Sequence, residues 1–260
     1  MIHPIIVETV IVLRLRTLLV AALTVAVGAG LLWLRSPTSP LEAIVRGGNG
    51  PPTVVLLHGY GGRADQWLQL VPMFQFPGST RMVFPQAPLR VLQTAPRGWW
   101  RLDIEGNIPP GQRFPDFSDQ DPDGIRVAAQ LVLDLVRDVE GPLIIGGFSQ
   151  GAMVSAEIAF NTDHDLAGLI LLGGTPVHEE TWAAHFAGRR LLPVFIAHGR
   201  GDDVLSFAQM ERFQARVKAS GMDVTWLPFE GEHDIPREVV RGMNVFISRV
   251  VGLQSSLGRP

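Results

Sequence analysis

From about residue 41 the chain alternates short aliphatic runs with longer stretches of helical period. The runs TVVLLHG (53–59), RMVFPQ (81–86), PLIIGGF (142–148), LAGLILLGG (166–174), PVFIAHG (193–199) and DVTWLPF (223–229) predict strands. Most are continuously apolar, as expected of strands covered on both faces. Helices are predicted near 124–139, 149–161, 206–220 and 236–250. In GIRVAAQLVLDLVRDV, residues Ile125, Val127, Ala128, Leu131, Val132, Leu135, Val136 and Val139 form one apolar stripe. Strand and helix in alternation predict an α/β fold, its central sheet mostly parallel, with helices on both faces. Residues 53–252 are read as one domain, with a linker at 37–52 and a tail at 253–260.

Two stretches break this rhythm. Residues 86–123 are rich in Pro and aromatic side chains and show no period. A connection of that length in a compact domain is more often functional than idle, so it is read as a lid or substrate-groove insertion. Thr17 to Leu34, TLLVAALTVAVGAGLLWL, carries no charge and lies between Arg14 and Arg16 on one side and Arg35 on the other. As a helix it would rise about 27 Å, close to the roughly 30 Å hydrocarbon core of a bilayer. Thr17 to Leu34 is therefore expected to be an N-terminal hydrophobic helix, and residues 1–36 that contain it a membrane anchor. A cleaved signal peptide is the alternative, and a buried amphipathic helix fits least, because there is no polar face. The flanking arginines are nearly balanced; the short N-terminal tail favours an inside N-terminus and an extracytoplasmic domain. Cleavage would make the protein secreted.

Composition narrows the chemistry. The 260 residues are 46% hydrophobic and 18% charged, enough for a substantial core. A formal net charge of −3 offers no basic surface for nucleic acid. Without a single cysteine there are no disulfides, thiolate metal sites or cysteine nucleophiles. No metal or cofactor is expected, and the sequence leaves the oligomeric state open.

The sharpest local feature is LIIGGFSQGAMVS (143–155), where an apolar strand leaves through a glycine pair and turns helical. Gly147 and Gly151 flank Ser149 as G-x-S-x-G, the spacing of a nucleophile elbow. A tight strand-to-helix turn forces its central residue into a strained backbone, and side chains two positions away would collide. The turn lifts the hydroxyl to the carboxyl rim of the sheet and sets it at a helix N-terminus. The Gln150 N–H is then aimed where an oxyanion would develop.

A serine hydroxyl needs an imidazole to take its proton, and the imidazole needs a carboxylate to fix its tautomer. Asp202 and Asp203 in HGRGDD follow the strand at 193–199, and His233 in GEHDIP follows the strand at 223–229. Position alone does not separate the two aspartates. Asp234 is read as a helix cap, and His58 and His198, each in an HG at a strand end, as loop-holding residues. LLHGYGG (56–62) supplies a glycine-rich loop whose Tyr60 N–H is the second oxyanion donor, with Gly61 assisting. It lacks the lysine of a phosphate-binding loop. Trp67, Met73, Phe74, Trp99, Trp100, Phe114 and Phe117 are candidates for an apolar acyl groove; Gly61, Trp67, Trp99 and Trp100 are taken as substrate-binding.

At LLHGYGG, GWWRLD, GFSQGAMVS, AHGRGDDVLSF and GEHDIP the chain resembles the phospholipase/carboxylesterase branch of the α/β-hydrolase superfamily, which includes acyl-protein thioesterases. The resemblance spans about residues 50–250 and implies an α/β-hydrolase fold. It assigns Ser149 as nucleophile, His233 as base and Asp202 as acid, with oxyanion N–H groups from Tyr60 and Gln150. The chain departs from the family at Asp203, where proline is common, and in its N-terminal apolar segment, since family members are usually soluble and cytosolic. A serine hydrolase of short- to medium-chain carboxylic esters is expected. Acyl thioesters or lysophospholipids are the alternative substrates, and a membrane-tethered, non-catalytic binding protein is the alternative of another class.

Overall fold

The computed structural model describes residues 33–35, 41–91 and 97–256. In chain order its strands are β1 (Trp33–Arg35), β2 (Glu42–Gly47), β3 (Gly50–Leu57), β4 (Thr80–Pro85), the short β5 (Leu89–Arg90) and β6 (Arg97–Gly98), β7 (Leu143–Phe148), β8 (Gly168–Leu172), β9 (Pro193–Gly199) and β10 (Asp223–Phe229). The α-helices are α1 (Asp123–Val136), α2 (Gln150–Asn161), α3 (Glu179–Ala183), α4 (Phe207–Ala219) and α5 (Arg237–Ser256). Eight strands form one sheet in the order β1-β2-β4-β3-β7-β8-β9-β10, and β5 and β6 pair as a separate hairpin. From β4 to β10 every pairing is parallel; only the β1–β2 and β2–β4 pairings at the edge are antiparallel.

The two-residue period of a strand separates the two layers. Val55, Leu57, Ile145, Leu169, Leu171 and Ile196 pack with α1, α2 and α4. Their sequence neighbours Val54, Leu56, Ile144, Ile170, Leu172 and Phe195 pack with α5 and with the 3₁₀ turn Ala64–Gln69. Helix α2 is buried at every position from Gln150 to Phe160, since it lies between the sheet and the helices outside it. On α5 the stripe Val239, Met243, Phe246, Ile247 and Val250 faces the sheet.

The order of the strands fixes where a site can form. From β3 the chain moves to β4 on one side, then returns to β7 on the other. The carboxyl ends of β3 and β7 thus border the crevice where strand order reverses, the place where ligands bind in open α/β sheets.

Several expectations are corrected. Residues 42–47 and 50–52, assigned to the linker, belong to β2 and β3. Helix α5 continues through Ser256, into the expected tail. Val127, counted into the apolar stripe, is 60% exposed. Trp33 and Leu34, the last two residues of the expected anchor helix, are strand, paired with Ile44 and Ala43. The rest of that segment lies outside the described residues, and among the described residues no helix is long and apolar enough to cross a membrane. The membrane-anchored, extracytoplasmic location and its secreted alternative do not stand.

Candidate active site

Strand β7 ends at Phe148 and α2 begins at Gln150, leaving Ser149 alone in the corner with φ 54° and ψ −119°. Holding a non-glycine residue there costs about 1–3 kcal/mol, and the surroundings must enforce it. They do so through hydrogen bonds: the Ser149 N–H donates to Leu172 O at 2.8 Å, and its carbonyl accepts from Ala152 and Met153 N–H. The flanking glycines are steric necessities. A Cβ on Gly147 would lie 2.6 Å from Leu57 O, and one on Gly151 would lie 2.6 Å from the Leu57 carbonyl carbon. The elbow is therefore pressed against the end of β3.

Two rim loops deliver the imidazole and the acid. The loop after β9 is bonded to the loop after β10 by Arg200 N–H to Phe229 O and Gly201 N–H to Gly231 O, at 2.9 and 2.8 Å. Gly199 permits this approach, since a Cβ there would sit 2.6 Å from Gly231 O. Within the joined loops His233 Nδ1 lies 2.7 Å from Asp202 Oδ2. The carboxylate can only accept, so Nδ1 carries the proton and Nε2 is left as the basic nitrogen. Asp202 Oδ1 accepts from Val204 and Leu205 N–H at 2.9 and 2.8 Å, and His198 Nε2 sits 3.1 Å from Oδ2. Burial by itself would raise the pKa of this carboxyl. The hydrogen bonds from His198 and His233, the His233 charge and the Leu205 N–H outweigh it and hold the group below the usual carboxylate range. Asp203, one residue on, is exposed. Asp234 does not cap α5; its Oδ1 accepts from Ile235 N–H, and Pro236 O accepts the first helical bonds.

The His233 ring packs on Phe148, with centroids 4.6 Å apart, which sets it beside the residue preceding Ser149. Gly173, at the end of β8, makes room for both rings. It has φ 52°, and a Cβ on it would lie 3.0 Å from Phe148 and 3.5 Å from the imidazole. Sequence reasoning passed over this residue; its signal was the glycine pair closing LLGG.

The loop after β3 contributes a second corner. Among the described residues neither the Tyr60 N–H nor the Gln150 N–H donates a hydrogen bond. Gly59 approaches the serine closely, since a Cβ on it would lie 3.2 Å from Ser149 Cβ. Gly61 does not assist as expected: its N–H is already given to Arg97 O at 2.8 Å. His58 is buried, gives its Nδ1 proton to Gly59 O at 2.8 Å and accepts from Ala87 N–H on Nε2 at 3.1 Å. Burial pushes its pKa down to about 4, so the ring stays neutral and holds the loop.

The three tryptophans are corrected too. Trp67 is 3% exposed and stacks on Phe84 in the core layer of α5. Trp99 and Trp100 are 2% and 4% exposed. Trp99 donates its Nε1–H to His58 O at 2.8 Å, and the backbone of both residues is held by the Gln150 side chain. These rings are packed inside rather than lining an open groove, because large aromatic groups gain most from full burial. Phe117 is buried likewise, while Met73, Phe74 and Phe114 remain half-buried.

The site thus holds a strained serine on a strand-to-helix corner and an imidazole–carboxylate pair packed on the preceding Phe148. The phospholipase/carboxylesterase family model matches residues 42–251. The chain belongs to this family. Acyl-protein thioesterase 1 of Yarrowia lipolytica is 27% identical over 201 residues, covering 69% of this chain and 82% of that one. Acyl-protein thioesterase 2 of Zea mays superposes with a TM-score of 0.66 at 23% identity, covering 82% of this chain and 99% of that one. A Bacillus cereus carboxylesterase does so with 0.61 at 17%, covering 81% and 95%. These structural likenesses carry the α/β-hydrolase fold, and family membership makes the protein a serine hydrolase. The family match begins beyond the expected anchor, at residue 42, and lends that location nothing.

Proposed function

We propose that this phospholipase/carboxylesterase family member is an acyl-thioester hydrolase that also accepts carboxylic esters. The reaction would run through Ser149, His233 and Asp202. The observation that carries the reading is the 2.7 Å bond from His233 Nδ1 to Asp202 Oδ2, formed by loops that end separate strands beside the strained Ser149.

His233 Nε2 takes the hydroxyl proton as Ser149 Oγ attacks the acyl carbonyl. Asp202 keeps the imidazole in the required tautomer and stabilises the imidazolium that forms. The tetrahedral oxyanion is held by the Tyr60 and Gln150 N–H groups, which need no reorganisation because they are main chain. His233 returns the proton to the departing thiol or alcohol, and water, activated by the same ring, releases the acid. The order of substrates follows the relatives whose names record thioester cleavage. No feature of the site favours the non-catalytic alternative.

A chain-length series of acyl thioesters and matching oxygen esters tests this, assayed with wild type and Ser149→Ala. The expected result is a pre-steady-state burst, faster turnover of thioesters, and a loss of at least about 10⁴-fold in kcat for the variant. Turnover that survives in Ser149→Ala would remove Ser149 as the nucleophile.

A further inference from the structure

Gln150 carries one of the two N–H groups given to the oxyanion, and its side chain is fully buried, pointing elsewhere. Its Oε1 accepts the Trp99 N–H at 2.9 Å, and its Nε2 donates to Trp100 O at 2.9 Å. The amide thus grips the backbone of residues 99–100 as a neighbouring strand would. At its other end the same segment is bonded to the loop bearing Tyr60. Gly61 N–H donates to Arg97 O at 2.8 Å, Arg97 N–H to Gly62 O at 3.1 Å, and Trp99 Nε1–H to His58 O at 2.8 Å. Residues 97–100 are therefore a bridge between the two loops that supply the oxyanion donors.

We propose that the Gln150 side chain is a positioning residue: by clamping residues 99–100 it fixes the separation of the Tyr60 and Gln150 N–H groups. The proposal rests on the serine-hydrolase reading above. Two main-chain donors on different loops stabilise a transition state only when both point at the same oxygen, and a misplacement of about 1 Å costs on the order of 10²-fold. The Gln amide offers a neutral donor and acceptor side by side without a change of protonation. Glutamate at this position would keep the bond from Trp99 N–H but meet the Trp100 carbonyl only by holding a proton there. A hydrocarbon of the same length would lose both bonds while keeping its own N–H.

The bridge can be cut at the elbow and weakened at its other end, where the main-chain bonds of Arg97 with Gly61 and Gly62 remain. Gln150→Met removes the clamp at the elbow, and Trp99→Phe removes the bond to His58 O. Gln150→Met is expected to lower kcat on a thioester by about 30–100-fold and Trp99→Phe by less, each with KM within about twofold. The double variant is expected to be no worse than the weaker single, since both break one bridge. Gln150→Glu should fall between Gln150→Met and wild type. Unaltered kcat in folded Gln150→Met, judged by circular dichroism, would overturn the proposal; so would a loss carried wholly by KM, or strict additivity in the double variant. If Gln150→Met fails to fold, Gln150→Asn, whose shorter amide cannot hold both main-chain partners, carries the test. A fluorophosphonate probe on wild type separates the two readings. Absence of label on Ser149 removes the serine-hydrolase reading, whereas label with unaltered variants removes only the bridge.

Discussion

Asp202 and Asp203 stand side by side in the chain yet have different fates. Asp202 receives bonds from two imidazoles and two N–H groups and is 4% exposed; Asp203 faces solvent. Asp202→Asn is expected to lower kcat by about 10⁴-fold, because an amide at that point lets the imidazole settle in the wrong tautomer. Asp203→Asn should stay within about threefold, the usual range for a surface change distant from contacts. Steady-state kinetics of the pair decides the matter; equal losses would move the acid to the wrong residue. In the sequence the two were equivalent, since both lay on the right loop and only a family resemblance preferred the first. The elbow is the reverse case. Gly147, Ser149 and Gly151 were legible from their spacing, because the clash that requires them is with backbone close at hand.

Among the elements, the insertion at 86–123 is tied down at its far end. His178 N–H donates to Phe117 O at 3.1 Å, and Glu179 N–H to Ser118 O at 2.7 Å. The His178 ring lies between Asp121 Oδ1 at 2.9 Å and Glu157 Oε2 at 2.6 Å. Arg126 also bonds Asp121, and Trp182 and Asn161 bond Glu157. With a carboxylate at each nitrogen, both nitrogens donate, so the ring is held as imidazolium. Burial works against that charge, but the bonds to Glu157 and Asp121 prevail and raise the pKa. A raised histidine pKa contributes stability that is complete below its ordinary value and disappears as pH climbs through the folded-state value. Glu157 and Asp121 are both lowered. Burial of Glu157 is outweighed by its hydrogen bonds, and His178 is the main cause at Asp121. Their contribution is therefore lost only in acid, below the ordinary carboxylate range. Docking of the insertion should be firmest from about pH 5 to 6.5 and weaken above it. Limited proteolysis at 86–123 is expected to be faster at pH 8.5 than at pH 6 in wild type, and independent of pH over that interval in His178→Gln. No pattern in the sequence marked this cluster, because its three side chains come from an irregular segment, a helix and a turn, with no shared period. The same holds for β2: six residues in a stretch taken for linker, recognised as strand only through pairing with β4.

For the molecule as a whole, the described sheet, its two layers and the rim loops lie within Trp33–Ser256, and the chain from Trp33 onward clusters as one unit. A chain shortened by residues 1–32 is expected to keep its kcat, and to keep its thermal midpoint within about 2–4 °C, the shift of a change near 1 kcal/mol in a domain this size. Differential scanning calorimetry with the thioester assay tests both, and loss of folding or of kcat would overturn this expectation.

What the sequence determined by itself was whatever depends on near neighbours: the alternation of strand and helix, the two-faced burial of the parallel strands, the glycine spacing at the serine corner, and the placing of His233 and an aspartate after successive strands. Period and local sterics act over a few residues and can be read along the chain. Only the tertiary structure decided which aspartate stands behind the imidazole, that Gly61 has already spent its N–H, that Trp67, Trp99 and Trp100 are packed inside, and that the Gln150 amide faces a segment about fifty residues earlier. Those outcomes are distances between segments remote in sequence. They are set by how the layers close on each other, and a one-dimensional pattern carries no record of them.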